Sequence, residues 1–381
     1  MAVRNTPNGI SPTGIYAHII GWGMSVPDNI MTNDDLAAIV ETDNEWIVSR
    51  TGIHERRIAT EKDSTVTLAH SAAQKALEEA NVLPQDIDLI VVATSTPEHV
   101  FPSTASVVQD WLGASNAGAF DLAAACSGFV YALNMAADSI KSGSIDTAVV
   151  IGAETMSRVL DWQDRSTCIL FGDGAGAVVL QASEEHGGIL SSVLRSDGAG
   201  ADLLAIPTTN NPHLAGHKAQ KMHMAGREVF RFATRVVDSS IREAVELAGI
   251  KMSDVNLVVP HQANQRILAS AAKKLGLHID KFVSNLDRYG NTSAASIPIA
   301  LCEATESDRV QRGDHLVFVG FGGGLSWASM VIKWIPDAVR VNRNIRLNQQ
   351  RREFQYQWAR WRSRFQRWRR RLNRWFGNGT E

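Results

Sequence analysis

The sequence predicts an α/β protein made of two similar halves, with an amphipathic helix appended at its C-terminus. Three observations carry this prediction. Apolar strand-like runs alternate with amphipathic helical stretches, two segments recur in the same order, and the composition changes abruptly after residue 336. With 381 residues, 44% hydrophobic and 20% charged, the chain can bury a sizeable core, which excludes wholesale disorder. No apolar run approaches the roughly 18 residues that span a bilayer, so an integral membrane protein is excluded as well.

The strand candidates are residues 87–93 (IDLIVVA), 147–151 (TAVVI), 255–259 (VNLVV) and 316–320 (LVFVG). Their near-continuous apolar character suits strands covered on both faces. Residues 71–80 and 239–248 read as helices, with alanine and leucine on one side and charge on the other. These helices open the repeat. Residues 76–91 (ALEEANVLPQDIDLIV) and 244–259 (AVELAGIKMSDVNLVV) align without a gap at an offset of 168. Each predicts a helix, a turn carrying Asp86 or Asp254, then a buried strand. Phe-Gly-x-Gly also recurs, at 171–174 and 321–324, each time ahead of a strand-like run. The halves are expected at 15–185 and 186–335, meeting in the polar stretch 181–188 (QASEEHGG), with 1–14 as a flexible N-terminus and 336–381 as a tail.

The polar first 14 residues lack the apolar core of a secretory signal. Three scattered cysteines, Cys126, Cys168 and Cys302, argue against a disulfide framework and for a reducing, cytoplasmic setting. Charge divides sharply. From Asp337 onward there are 13 arginines, no lysine and three acids, a net +10, which leaves the preceding 336 residues at −12. Such asymmetry marks a separate interaction segment.

Four places in the body could carry chemistry. Cys126 lies in 121–128 (DLAAACSG), where a strand-like segment turns into the helical pattern 129–140. Unsatisfied N–H groups and the positive dipole end at a helix start favour a thiolate, which predicts a lowered thiol pKa. A buried structural cysteine is the alternative, and it suits Cys168 in a strand-like run and Cys302 in a helix-like one. His261 and Asn264 lie in 260–264 (PHQAN), at the carboxyl end of the second repeat strand, a favoured place for ligand contact. A histidine satisfied by its neighbours reads equally well. Asn291 lies among small residues in 290–296 (GNTSAAS), ahead of a helix expected at 297–304, where it could instead be a cap. The glycines of 321–324 (FGGG) would let backbone N–H groups approach a substrate oxygen, or simply make a tight turn. A thiol at a helix start with separate His and Asn is one arrangement for covalent acyl chemistry. There is no CxxC and no HExxH, so no metal site is expected.

These motifs, together with 44–58 (NEWIVSRTGIHERRI), 101–103 (FPS) and 171–177 (FGDGAGA), resemble a β-ketoacyl-acyl-carrier-protein synthase III of the thiolase superfamily, from about residue 13 to 335. The spacings of 135 residues from Cys126 to His261 and 30 to Asn291 fit that family. The resemblance implies a duplicated, layered thiolase-like fold and a homodimer. It implies that Cys126 takes an acyl group from an acyl-coenzyme A, a substrate rather than a cofactor, and that malonyl-acyl carrier protein then decarboxylates against it. His261 and Asn291 would hold the thioester oxygen, while N–H groups of Cys126 and Gly323 form the oxyanion hole. Trp46 and Arg165 would sandwich the adenine, with Arg50 near the phosphates. Gly226, Phe230, Ala263 and Asn264 would line the pantetheine tunnel, although Arg227 stands where the family often has a smaller polar residue. Phe101 would close the acyl pocket across the dimer. Arg231, Gln262, Arg266, Lys273 and Lys274 would meet the carrier protein. Other acyl condensations, of secondary metabolism or joining chains head to head, are the enzymatic alternative. A membrane-tethered scaffold with a relic site is the non-enzymatic one.

The tail departs from the family. Phe354, Trp358, Trp361, Phe365, Trp368, Leu372 and Trp375 are spaced alternately by four and three, with arginines at most positions between. This predicts an amphipathic helix of about 25 residues. Broad indole rings suit a membrane interface while arginines meet anionic lipid, so 354–376 is first a candidate for a membrane surface. A coiled coil or partner helix comes next, and nucleic acid third.

Overall fold

The computed structural model describes residues 13–208 and 220–338, together with Trp358, Trp361, Phe365 and Trp368. Two sheets lie at its centre. The first holds β1 (Tyr16–Ser25), β2 (Leu89–Ala93), β3 (Gly118–Leu122), β4 (Thr147–Thr155) and β5 (Asp173–Ser183), in the order β1-β5-β4-β2-β3. The second holds β6 (Gly188–Ser196), β7 (Val255–Pro260), β8 (His315–Gly322) and β9 (Ser326–Lys333), in the order β7-β8-β9-β6.

Four strands of the first sheet have counterparts in the second, in the same order. In each sheet a parallel pair, β2 with β4 or β7 with β8, is continued by an antiparallel partner, β5 or β9. Outside β2 lies β3. The same place beside β7 is taken by Phe282, which makes a single parallel bridge with Val258. The repeat seen in the sequence is therefore structural. Residues 76–91 run from helix α2 (Thr65–Ala80), the next after α1 (Asn44–Thr51), through the 3-10 turn Pro84–Asp86 into β2. Residues 244–259 run from helix α5 (Gly226–Leu247) through Met252–Asp254 into β7.

Alternation along the strands explains the layering. On β4, Ala148 and Val150 pack into one core and Val149 and Ile151 into another; on β8, Leu316 and Phe318 oppose Val317 and Val319 in the same way. The shared inner core also takes up helix α4 (Gly128–Lys141) and helix α7 (Ser296–Glu306), which lie between the sheets. Helices α2 and α3 (Thr104–Leu112) cover the outer face of the first sheet, and α5 and α6 (Gln265–Leu275) that of the second. Burying a valine or isoleucine completely is worth about 1.5–3 kcal/mol. Strands lined by such residues on both faces therefore belong in the middle layers.

Two expectations are corrected. The junction in 181–188 is shorter than its polar sequence suggests, because Gln181–Ser183 complete β5 and Gly188 already begins β6, which leaves 184–187 between them. Cys168 lies in a turn rather than a strand, although it is fully buried there. Cys302 lies in α7, as expected. Of the tail, Trp358, Trp361, Phe365 and Trp368 are helical and exposed, and Phe365 packs 5.5 Å and 5.7 Å from Trp361 and Trp368. Residues 1–12, Phe354, Leu372 and Trp375, for which the sequence also carries expectations, lie outside the described residues.

Candidate active site

Cys126 is carried on a short 3-10 turn, Ala125–Ser127, that runs straight into α4. The preceding Ala125 adopts φ 45°, a left-handed conformation that costs an L-residue energy and is tolerated where the surroundings demand it. What demands it is the opposite half. A β-carbon placed on Gly322 would lie 2.8 Å from the Cys126 nitrogen and 3.2 Å from its sulfur. Only a bare backbone lets the end of β8 approach this closely.

The second half builds the same turn 168 residues later. Ser293–Ala295 is a 3-10 turn ahead of α7, and Ser293 has φ 50°. This puts Ala294 where the first half has Cys126. The contacts are reciprocal. A β-carbon on Gly152 of β4 would meet the Ala294 carbonyl at 2.2 Å, while Gly320 of β8 backs on Ser127.

Three of the predicted residues converge. Cys126, His261 and Asn291 line one cavity of about 90 Å³, joined there by Gly226, Phe230, Ala263, Asn264, Phe321 and Gly322. His261 follows the last residue of β7, and its main-chain N–H bonds the Val319 carbonyl of β8 at 2.8 Å. Phe321 meets its ring edge-on at 5.1 Å. Burial pushes the imidazole pKa down to about 3, so the ring is neutral. Asn291 Oδ1 accepts the Ser293 N–H at 2.8 Å, which leaves the amide NH₂ as the free donor end.

The expectation of a lowered thiol pKa is overturned. Burial pushes Cys126 up to about 12, and the nearby Glu154 carboxylate raises it further. The Ser293 hydroxyl bonded to the sulfur acts the other way and is outweighed. The turn does stand at a helix start, but the sulfur there is taken out of water, and burial is the largest cause of the upward shift.

Glu154, at the end of β4, escaped the sequence reading. It is fully buried, and accepts from the Thr96 hydroxyl at 2.5 Å, the Ser293 hydroxyl at 3.0 Å and the Ser95 N–H at 3.1 Å. Burial raises its carboxyl to about 7. In sequence it is one acid after an apolar run, the usual look of a strand emerging into solvent. Ser326 was missed too. It ties the cysteine turn to the glycine loop after β8, sharing a 2.8 Å hydroxyl contact with Ser127 and donating to the Gly323 carbonyl at 2.9 Å.

The other predicted positions divide. Gly323 and Cys126 both line a second cavity of about 630 Å³, whose walls include Met156, Val159, Phe171, Leu204, Ile206 and Met222. Arg50 and Arg165 stand over the Trp46 ring at 4.4 Å and 5.3 Å. Asn264 lines the cavity, but it also caps α6, its Oδ1 accepting from the Arg266 N–H at 2.9 Å and its Nδ2 donating to the Arg50 carbonyl at 2.8 Å. Arg231, Arg266, Lys273 and Lys274 are exposed on α5 and α6. Gln262 is not part of that surface. It is 1% exposed and its amide holds the carbonyls of Pro260 and Val283 and the N–H of Asn285, so it secures the loop beneath His261. Phe101 is 86% exposed and lines neither cavity.

Comparison with known proteins agrees with this arrangement. Residues 120–198 match the family model of 3-oxoacyl-(acyl-carrier-protein) synthase III, and residues 245–334 match the model of its C-terminal part. The chain is 52% identical over 320 residues to the β-ketoacyl-acyl-carrier-protein synthase III of Clostridium acetobutylicum, covering 83% of this chain and 98% of that protein. Crystal structures of the 3-oxoacyl synthases III of Aquifex aeolicus and Thermus thermophilus superimpose with TM-scores of 0.79 and 0.80, at 48% and 44% identity. Each covers 84% of this chain, and the alignment takes in 100% and 99% of those two structures. With half its residues shared along nearly the whole length of such relatives, and their layered fold beneath, the chain belongs to the β-ketoacyl-acyl-carrier-protein synthase III family.

Proposed function

We propose that Cys126, His261 and Asn291 carry out the decarboxylative Claisen condensation that starts fatty acid synthesis. The observation that supports this most directly is their convergence on one cavity of about 90 Å³. The Cys126 thiol attacks the thioester carbonyl of an acyl-coenzyme A, giving up its proton, which the departing coenzyme A thiolate takes up. The tetrahedral oxyanion is held by the N–H groups of Cys126 and Gly323, then collapses to an acyl-enzyme and free coenzyme A. Malonyl-acyl carrier protein enters next and loses carbon dioxide. N–H groups from His261 and Asn291 stabilise the enolate oxygen, and neutral imidazole suits that role because it need not give up a charge. The carbanion attacks the acyl carbon, the carbon–sulfur bond breaks, and 3-oxoacyl-acyl carrier protein leaves. Cys126→Ala is expected to abolish 3-oxoacyl product and the acyl adduct seen by mass spectrometry; full turnover by that variant would defeat the assignment.

The remaining roles follow the same reading. Coenzyme A would lay its adenine between Trp46 and Arg165, with Arg50 near its phosphates. Its pantetheine would pass Gly226, Phe230, Ala263 and Asn264, and the acyl chain would enter the apolar 630 Å³ cavity. Arg231, Arg266, Lys273 and Lys274 offer positive charge to an acidic carrier protein. A homodimer is supported by the edge strand β3, whose Phe120 is 43% exposed, and by the exposed apolar side chains of Val100 and Phe101. No helix among the described residues is long and apolar enough to cross a membrane. The exposed rings of Trp358, Trp361, Phe365 and Trp368 favour a tail that rests on anionic lipid. Removal of residues 337–381 is expected to abolish co-sedimentation with anionic vesicles; unchanged co-sedimentation would exclude that role.

A further inference from the structure

We propose that Ser296 is a positioning residue that sets the tautomer of His261, so that Nε2 carries the proton facing the reacting thioester. The proposal rests on the reading of His261 as donor to the enolate oxygen. A neutral imidazole has one N–H, and the nitrogen that keeps it is decided by what the other nitrogen meets. Nδ1 of His261 meets the Ser296 hydroxyl at 2.7 Å, its only hydrogen-bond partner among the described residues. Ser296 is 1% exposed, so water does not compete freely for that contact.

The hydroxyl has one proton and two acceptors within reach, His261 Nδ1 and the Ser293 carbonyl at 2.8 Å. If the proton goes to the carbonyl, Nδ1 must be the donor and Nε2 presents a bare lone pair. A lone pair repels an enolate oxygen. If the proton goes to Nδ1, Nε2–H faces the cavity and can donate. The carbonyl loses little in that second state, because the Ser296 main-chain N–H already donates to it. The same turn orients the other donor, since the Ser293 N–H holds Asn291 Oδ1 and turns its NH₂ outward. One six-residue segment, Asn291 to Ser296, thereby aims both N–H groups.

Full-length Ser296→Ala and Ser296→Thr test this. Alanine removes the donor, and threonine keeps it. Formation of acyl-Cys126 from acyl-coenzyme A is expected to stay within about twofold in both variants, because His261 acts in the second half-reaction. The condensation kcat is expected to fall roughly tenfold to a hundredfold in the alanine variant, with KM for malonyl-acyl carrier protein unchanged, and to recover largely in the threonine variant. Nitrogen-15 spectra of histidine-labelled wild-type protein, assigned by the signal lost in His261→Ala, are expected to show Nε2 protonated and Nδ1 bare. This readout holds even if Ser296→Ala fails to fold. Wild-type condensation by Ser296→Ala, or a protonated Nδ1 in the spectra, would overturn the proposal and leave His261's own role standing. That role fails separately, if His261→Ala condenses normally.

Discussion

Gly320 of β8 lies against Ser127 so closely that a β-carbon on it would come within 2.9 Å of the Ser127 Cα and 3.2 Å of the Cys126 carbonyl. The turn that holds the sulfur is thus shaped by a strand from the other half of the chain. Gly320→Ala is expected to push it outward, lowering stability by about 1–3 kcal/mol as overpacking does. Acylation should fall far more than the loss of folded protein explains. Thermal unfolding and acyl-enzyme mass spectrometry on the same sample check this, and normal acylation would show that the turn tolerates the displacement.

The buried thiol makes a kinetic prediction. With Cys126 raised to about 12 by burial, little thiolate exists near neutral pH in the free enzyme. Alkylation by iodoacetamide should be slow at pH 7 and climb roughly tenfold per pH unit through pH 9, without a plateau. A plateau reached by pH 7 would mean that the helix start dominates after all.

Glu154 should leave its mark on stability. Its folded pKa of about 7 stands above the ordinary 4.5, so the native state holds a proton that the unfolded chain releases. Stability therefore falls as pH rises from about 4.5 to 7 and is flat above, by at most roughly 3 kcal/mol. Glu154→Gln should flatten that slope. Urea midpoints at pH 5 and pH 8 decide the matter, and parallel profiles for both proteins would remove Glu154 from the account.

The exposed cations predict a selective defect. Arg231→Glu together with Arg266→Glu should raise KM for malonyl-acyl carrier protein about tenfold, the equivalent of roughly 1.4 kcal/mol, and more steeply at low salt. Because Arg266 also stands over Phe230 at 5.4 Å, Arg266→Gln is the control for lost stacking. An equal rise in KM for acyl-coenzyme A would argue for a disturbed tunnel rather than a lost docking charge.

Much of this was legible in the chain because it is periodic or local. The helix–turn–strand repeat at 76–91 and 244–259 is a pattern of neighbours, and Cys126 announces itself by the small residues around it. Contacts between distant segments were not legible. Glu154 becomes a site residue only because Thr96 and Ser293 close over it. Gln262 looks polar and available beside His261, yet folding turns its amide inward to three backbone groups. The raised Cys126 pKa is hidden for a related reason, since a helix start can be read from sequence while the loss of solvent around it cannot.

The reciprocal backing of Gly152 on Ala294 and Gly320 on Ser127 has a consequence for how such an enzyme can be divided. Neither lobe holds its own elbow in shape, so a gene cut between Ser183 and Gly188 should yield fragments that are inert apart and regain turnover when mixed. An ancestor assembled from two copies of one lobe would have carried twin elbows of identical sequence.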